Sequence, residues 1–245
     1  MTSRLDLHGH IIIPFGIGPE SDVTLRLAST SPAGTDFVSD IPCVHMGLGQ
    51  NQGIRFSGIC GIFSDPYPFI GDGREAFQFA RKFLLEKYKD LRPSQVDFLN
   101  LYFNCCTSIG EDLKHQLTRT QVTEPGHINY DWRFEAFLPM ANAHLYLGLE
   151  RDSKTGIFEK ILVDILFWTG KRFVAVELVR EEDFKKHLER TRTFLANDIE
   201  PGIIFEEEMK SDRENSLCRH LPSEILNFWL HCTGEPFNPL SFPLA

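Results

Sequence analysis

Long hydrophobic runs are the first thing this chain lacks. None of its 245 residues falls in an unbroken apolar stretch of the ~18 positions a membrane-spanning helix needs, so the expectation is no membrane partner. Met1–Gly16 has neither the basic start nor the long apolar core of a secretory signal, and a cytoplasmic location is expected. Cysteine is sparse. Its six copies, at 43, 60, 105, 106, 218 and 232, are too scattered for a disulfide-dense scaffold and read as buried thiols of a reducing compartment. Positive charge is short as well. The formal net charge is −9, with 11 basic and 14 acidic residues in 1–125 and 14 and 20 in 126–245. Lys and Arg contacts to phosphate dominate nucleic-acid affinity, so neither half reads as a self-sufficient binder. A nucleic-acid ligand would need a local basic patch or a protein partner to supply the grip.

Other signatures are missing too. There is no repeat or low-complexity tract. Gly47, Gly49 and Gly53 are not spaced like a Walker or dinucleotide-binding loop and read as a turn. No Ser-His-Asp or Cys-His nucleophile context stands out. Cys218 and His220 with His231 and Cys232 supply zinc-type donors, but the adjacent His-Cys pair is unlike finger spacing. His8 and His10 read as incidental.

What is present is a globular composition, 42% hydrophobic and 24% charged. Residues 1–125 read as a β-rich, then helical N-terminal region. His10–Phe15 is a strand stopped by Pro14, and Val23–Leu27 alternates like a strand. Helices are expected over Arg74–Leu91, from Pro93 onward, and as a short third piece over Glu111–Thr120. Pro93 suits a first helical turn, where its missing N–H costs nothing. Glu124-Pro125-Gly126 reads as a domain boundary, followed by a nuclease-like domain over 126–245. His127–Leu138 is ambiguous: it alternates in a strand-like way, which the pattern favours, while Phe134, Phe137 and Leu138 also fit one face of a helix that Pro139 would end; His144–Leu149 is a short strand.

The strongest strands are Ile157–Trp168 and Lys171–Val179, rich in Ile, Val, Leu and Phe around Thr169-Gly170, a hairpin signal. With those two residues as the loop, Trp168 faces Lys171, Asp164 faces Ala175, Leu162 faces Glu177 and Lys160 faces Val179. Asp164 and Glu177 then share a face as diagonal neighbours, about 7–8 Å apart at the backbone. Both strands are apolar on both faces and so covered on both faces. Two like charges at ~4 Å repel by about 4 kcal/mol at an effective dielectric near 20. A proton, a base such as Arg180 or Lys160, or a divalent cation must relieve that, and paired oxygen donors suit Mg²⁺ or Mn²⁺. An amphipathic helix over Glu181–Ala196 follows, with Phe184, Leu188, Thr191 and Leu195 as its apolar stripe and Lys185, Lys186, Arg190 and Arg192 as its basic side. Pro201-Gly202 precedes a strand at Ile203–Phe205, and Ser223–Cys232 reads as a last helix.

The order strand with Asp, hairpin, strand with Glu, helix, strand resembles the PD-(D/E)xK nuclease superfamily, in particular its very-short-patch-repair (Vsr-like) members. The matching stretches are Val163-Asp164-Ile165-Leu166-Phe167, Phe173-Val174-Ala175-Val176-Glu177-Leu178 and Arg190-Thr191-Arg192-Thr193-Phe194-Leu195, within roughly residues 130–210. The resemblance implies an α/β (α+β), restriction-endonuclease-like fold with a mixed sheet, and a Mg²⁺-dependent phosphodiesterase of degenerate pattern. Asp164 and Glu177 would be its metal ligands, with Glu135 as a preceding acid. The superfamily's lysine position is Val179 here. Lys160 is the candidate replacement, with Lys185 and Lys186 as alternatives. Two other readings stand beside this one: an inactive nuclease-fold scaffold or binding subunit of a nucleic-acid-processing complex, and an unrelated small-molecule enzyme with its pocket in residues 1–125.

Overall fold

The computed structural model describes residues 10–18, 26–31, 34–38, 43–47, 53–56, 73–120, 133, 136–147, 159–211, 217 and 219–226. In chain order the elements are β1 (His10–Pro14), β2 (Arg26–Ser31), β3 (Gly34–Val38), β4 (Cys43–Gly47), α1 (Gly73–Lys87), α2 (Pro93–Thr120), β5 (Met140–Leu147), β6 (Glu159–Trp168) and β7 (Phe173–Val179). They continue with α3 (Phe184–Ala196), β8 (Ile199–Phe205), α4 (Glu206–Ser211) and α5 (Ser223–Leu226). β1 pairs with β4 and β2 with β3, both antiparallel. The main sheet runs β5-β6-β7-β8: β5, β6 and β7 form an antiparallel meander, and β8 returns parallel to β7 after the α3 crossover. The chain is therefore mixed α/β with a mixed sheet.

Hydrophobic pattern explains the layers. All seven residues of β7 are buried, as expected of a strand covered on both faces. α2 covers one face, where the Tyr102 and Phe167 rings lie 5.3 Å apart and the Tyr102 hydroxyl donates to the Phe137 carbonyl at 2.9 Å. α3 lies over the other face. Pro201 can sit in β8 because that strand is an edge, where a missing N–H breaks no ladder. Side chains from both sides of residue 125, including Phe15, Phe56, Tyr102, Phe137 and Phe167, belong to one hydrophobic cluster. Gly16 ties the two parts at the backbone. It donates to Ala141 O at 2.6 Å and accepts from Lys89 N at 2.9 Å, with φ at +67°.

Several sequence expectations change here. The separate helix at Glu111–Thr120 is the end of one 28-residue helix from Pro93: no proline divides it, and the helix runs straight through Gly110. Ala136–Pro139 is not a strand within the described residues. It carries a single bridge, Phe137 to Arg55, because Pro139 cannot donate to a ladder. The turn of the central hairpin lies one residue later than expected. Trp168 faces Phe173, Leu166 faces Ala175 and Ile165 faces Val176, so Gly170-Lys171 is the turn and Thr169 N donates to Arg172 O at 3.2 Å. Gly170 takes φ +91°, the place glycine fills in tight hairpins, while the Thr169 hydroxyl accepts from the Lys171 and Arg172 amides. The expected boundary at Glu124–Gly126, and Glu135, lie outside the described residues.

Candidate functional site

The turn moves every pairing by two, so faces are preserved while partners change. Continued past Ile165 and Val176, the register sets Asp164 directly opposite Glu177 rather than diagonal to it. Leu162, not Lys160, comes opposite Val179. The backbone of Lys160 pairs on its other side with Tyr146. The expected Lys160–Val179 opposition therefore does not form.

The β6–β7 ladder stops at Ile165 and Val176. Beyond it the strands fork, and side chains take over the backbone groups that a ladder would have satisfied. Leu178 N–H donates to Asp164 Oδ2 at 2.8 Å. The Leu162 carbonyl accepts from Arg190, and Leu178 O accepts weakly from Arg92 at 3.5 Å. Asp164 O accepts from Gln95 Nε2 at 3.2 Å. The two acids converge in this fork.

Both carboxylates are engaged. Asp164 Oδ2 meets Arg92 at 2.6 Å. Glu177 is 1% exposed, and it meets Arg190 through Oε1 and His187 Nδ1 through Oε2, each at 3.0 Å. The Asp164 carboxyl is pushed above the ordinary carboxylate range, first by burial and second by the Glu177 charge. Arg92, the Leu178 amide and Arg190 pull the other way without winning.

A second polar layer lies on the β5 side. The β5–β6 register skips Asn142 and Asp164, and Asn142 takes φ +47°, an uncommon conformation for a residue other than glycine. Gln95 Nε2 also donates to Asn142 Oδ1 at 2.7 Å, while Gln95 Oε1 accepts from Arg92 N at 2.8 Å. That last bond is half of a capping box: the third residue of α2 reaches back to the residue before its first. One cap thus fixes the α2 N-terminus, Arg92 and Asp164 together.

Sequence reasoning placed Asp164 and Glu177, and the structure brings them together. It missed Arg92, Gln95, Asn142 and His187 as neighbours. The Arg-Pro-Ser-Gln run at 92–95 carried a capping signal that hinted at Gln95, but nothing local linked it to Asp164. Arg180, the base expected beside Glu177, pairs instead with Glu206 at 3.3 Å. Lys185 and Lys186 are exposed. The apolar stripe of α3 is also not as expected. Phe184, Leu188 and Leu195 are exposed and the buried residue is Phe194, because the sheet-facing side of α3 carries His187 and Arg190 to Glu177.

Two opposed carboxylates are the right donors for a hard divalent ion. Among the described residues no group of three or more His, Cys, Asp or Glu side chains is arranged to hold one. Arg92 and Arg190 supply the countercharge, so a metal at this donor pair would have to exchange with a guanidinium. Elsewhere among the described residues, an open groove of about 480 Å³ between α1 and α2 is lined by Gln78, Arg81, Lys82, Leu85, Glu86 and Asn100. Arg81 there is tied to Asn100 and Asn104. No described helix is long and apolar enough to cross a membrane.

Comparison with protein-family models, with curated proteins and with solved structures found no match in any of the three.

Proposed function

We propose that this chain is a metal-dependent phosphodiesterase acting on nucleic acid, built on a restriction-endonuclease-like core over residues 140–205. The observation that carries the reading is the fork: Asp164 and Glu177 face one another where β6 and β7 separate, Glu177 buried and Asp164 pushed towards its protonated form first by burial and second by the Glu177 charge. The order of meander, crossover helix and parallel strand supports the superfamily resemblance. Mg²⁺ or Mn²⁺ at these acids would supply Lewis acidity and an activated water. Asp164 and Glu177 would hold it, and Asn142 and Gln95 would fix the β6 backbone that carries Asp164. The net charge of −9 makes a protein partner that presents the substrate part of the proposal, as is a cytoplasmic setting.

One observation favours a second reading, an inactive nuclease-fold scaffold or binding subunit. Arg92 and Arg190 already neutralise the acids, and Val179 stands where the superfamily has lysine. A cleavage assay on supercoiled plasmid and on single-stranded DNA and RNA separates the two, with Mg²⁺ or Mn²⁺ and with Asp164→Asn as control. Metal-dependent cleavage lost in the variant supports the enzyme. Equal, absent cleavage in both proteins supports the scaffold.

A further inference from the structure

Resting on the phosphodiesterase reading, we propose that α3 is a latched cover over the acid pair, with Arg190 as an internal cation, and His187 beside it on Glu177, that a divalent metal must displace. The inference comes from how α3 is held. A crossover helix on a sheet normally buries an apolar stripe, yet the one buried residue of α3 is Phe194. Leu188 is 41% and Leu195 61% exposed, and Phe184 is 37% exposed with its ring tilted 45° against that of Phe205. The grip on the sheet is mostly polar: His187 and Arg190 on Glu177, and Arg190 again on Leu162 O. Arg190 reaches both walls of the fork at once, the β6 backbone and the β7 carboxylate.

Only the entry to α3 is lightly held: a 3-10 turn, Glu181–Asp183, with no buried residue and no side-chain cap. The helix leaves through Asn197, whose side chain donates to Thr193 O at 2.8 Å, and Asp198, whose φ of +58° is the left-handed conformation common at helix ends. Phe194, fully buried, is the apolar anchor of the closed position. The remaining hold on the acid pair is polar, through Glu177 and the Leu162 carbonyl, and weakens when another cation satisfies Glu177. Lifting α3 would uncover Glu177 and release the Leu162 carbonyl, so metal loading and helix movement are one event. The latch explains why Glu177, an acid suited to a cation, stands neutralised by Arg190.

The test uses the full-length protein and Mn²⁺ as the probe. Calorimetric titration compares wild type with His187→Ala and with Arg190→Gln, which keeps an N–H donor for the Leu162 carbonyl. Amide hydrogen exchange of wild type is followed with and without Mn²⁺. The latch predicts about tenfold tighter Mn²⁺ binding in each variant, a coupling of ordinary size, and faster exchange across residues 184–196 when Mn²⁺ is added to wild type. Wild-type binding that neither variant tightens, with α3 exchange unchanged by metal, overturns the latch and leaves the phosphodiesterase reading standing. No Mn²⁺ binding in any of the three proteins overturns both.

Discussion

Leu178 donates its backbone N–H to the carboxylate of Asp164 at 2.8 Å, so a strand amide that would normally bond a neighbouring carbonyl bonds an acid instead. This substitution opens the central sheet and places Asp164 across from Glu177. Asp164→Ala therefore strips the amide of its acceptor and Arg92 of its partner, and should cost about 1–3 kcal/mol of stability. Asp164→Asn keeps an acceptor oxygen and should cost clearly less. Urea denaturation of the two variants checks this; equal losses would mean that the amide does not depend on the side chain.

The pH dependence follows from the same residue. Burial, then Glu177, raise the Asp164 carboxyl above its ordinary range, so the folded chain holds that proton more tightly than the unfolded one. Ionised Asp164 weighs against folding above the folded value, and that weight lifts as pH falls towards the ordinary carboxylate value. The stability of Asp164→Asn relative to wild type should accordingly fall as pH is lowered through that window. Denaturation midpoints taken at steps from neutral to acid pH would show it, and a relative stability that rises instead would reverse the assigned shift.

At Gly16, φ is +67° and an added Cβ would lie 2.5 Å from the Tyr88 ring. Left-handed backbone costs a non-glycine residue about 1–2 kcal/mol, and moving Tyr88 adds to it. Gly16→Ala should lower the melting temperature measurably, and an unchanged melting curve would count against the close packing of Gly16 on Tyr88, just past the end of α1.

Two neighbours on α3 should behave in opposite ways. Phe194 is fully buried and Leu195 is 61% exposed. Phe194→Ala should cost about 3–5 kcal/mol, whereas Leu195→Ala should stay within ~0.5 kcal/mol. Comparable losses at both positions would restore the stripe that the sequence pattern suggests.

Much of the sheet was legible because strand patterns are local. The continuous apolar runs of β6 and β7, the glycine between them and the amphipathic segment that follows marked the three central elements. The shared face of Asp164 and Glu177 was legible too, since the turn moved by one residue and the pairing therefore by two, which keeps side-chain parity. The partners of those acids were not legible. Arg92 is 72 residues from Asp164 in sequence, and only the docking of the α2 N-terminus on the sheet brings them together. The burial of α3 was misread for a related reason. Period alone cannot show that a buried acid on the sheet will draw His187 and Arg190 inward and turn Leu188 and Leu195 outward.

The most direct measurement is Mn²⁺ binding, followed by electron paramagnetic resonance, in wild type, Asp164→Asn and Glu177→Gln. Both acids converging on one cation position predicts binding in wild type that either single substitution abolishes or weakens severely. Binding that survives in both variants, or that is absent from wild type, would contradict the account.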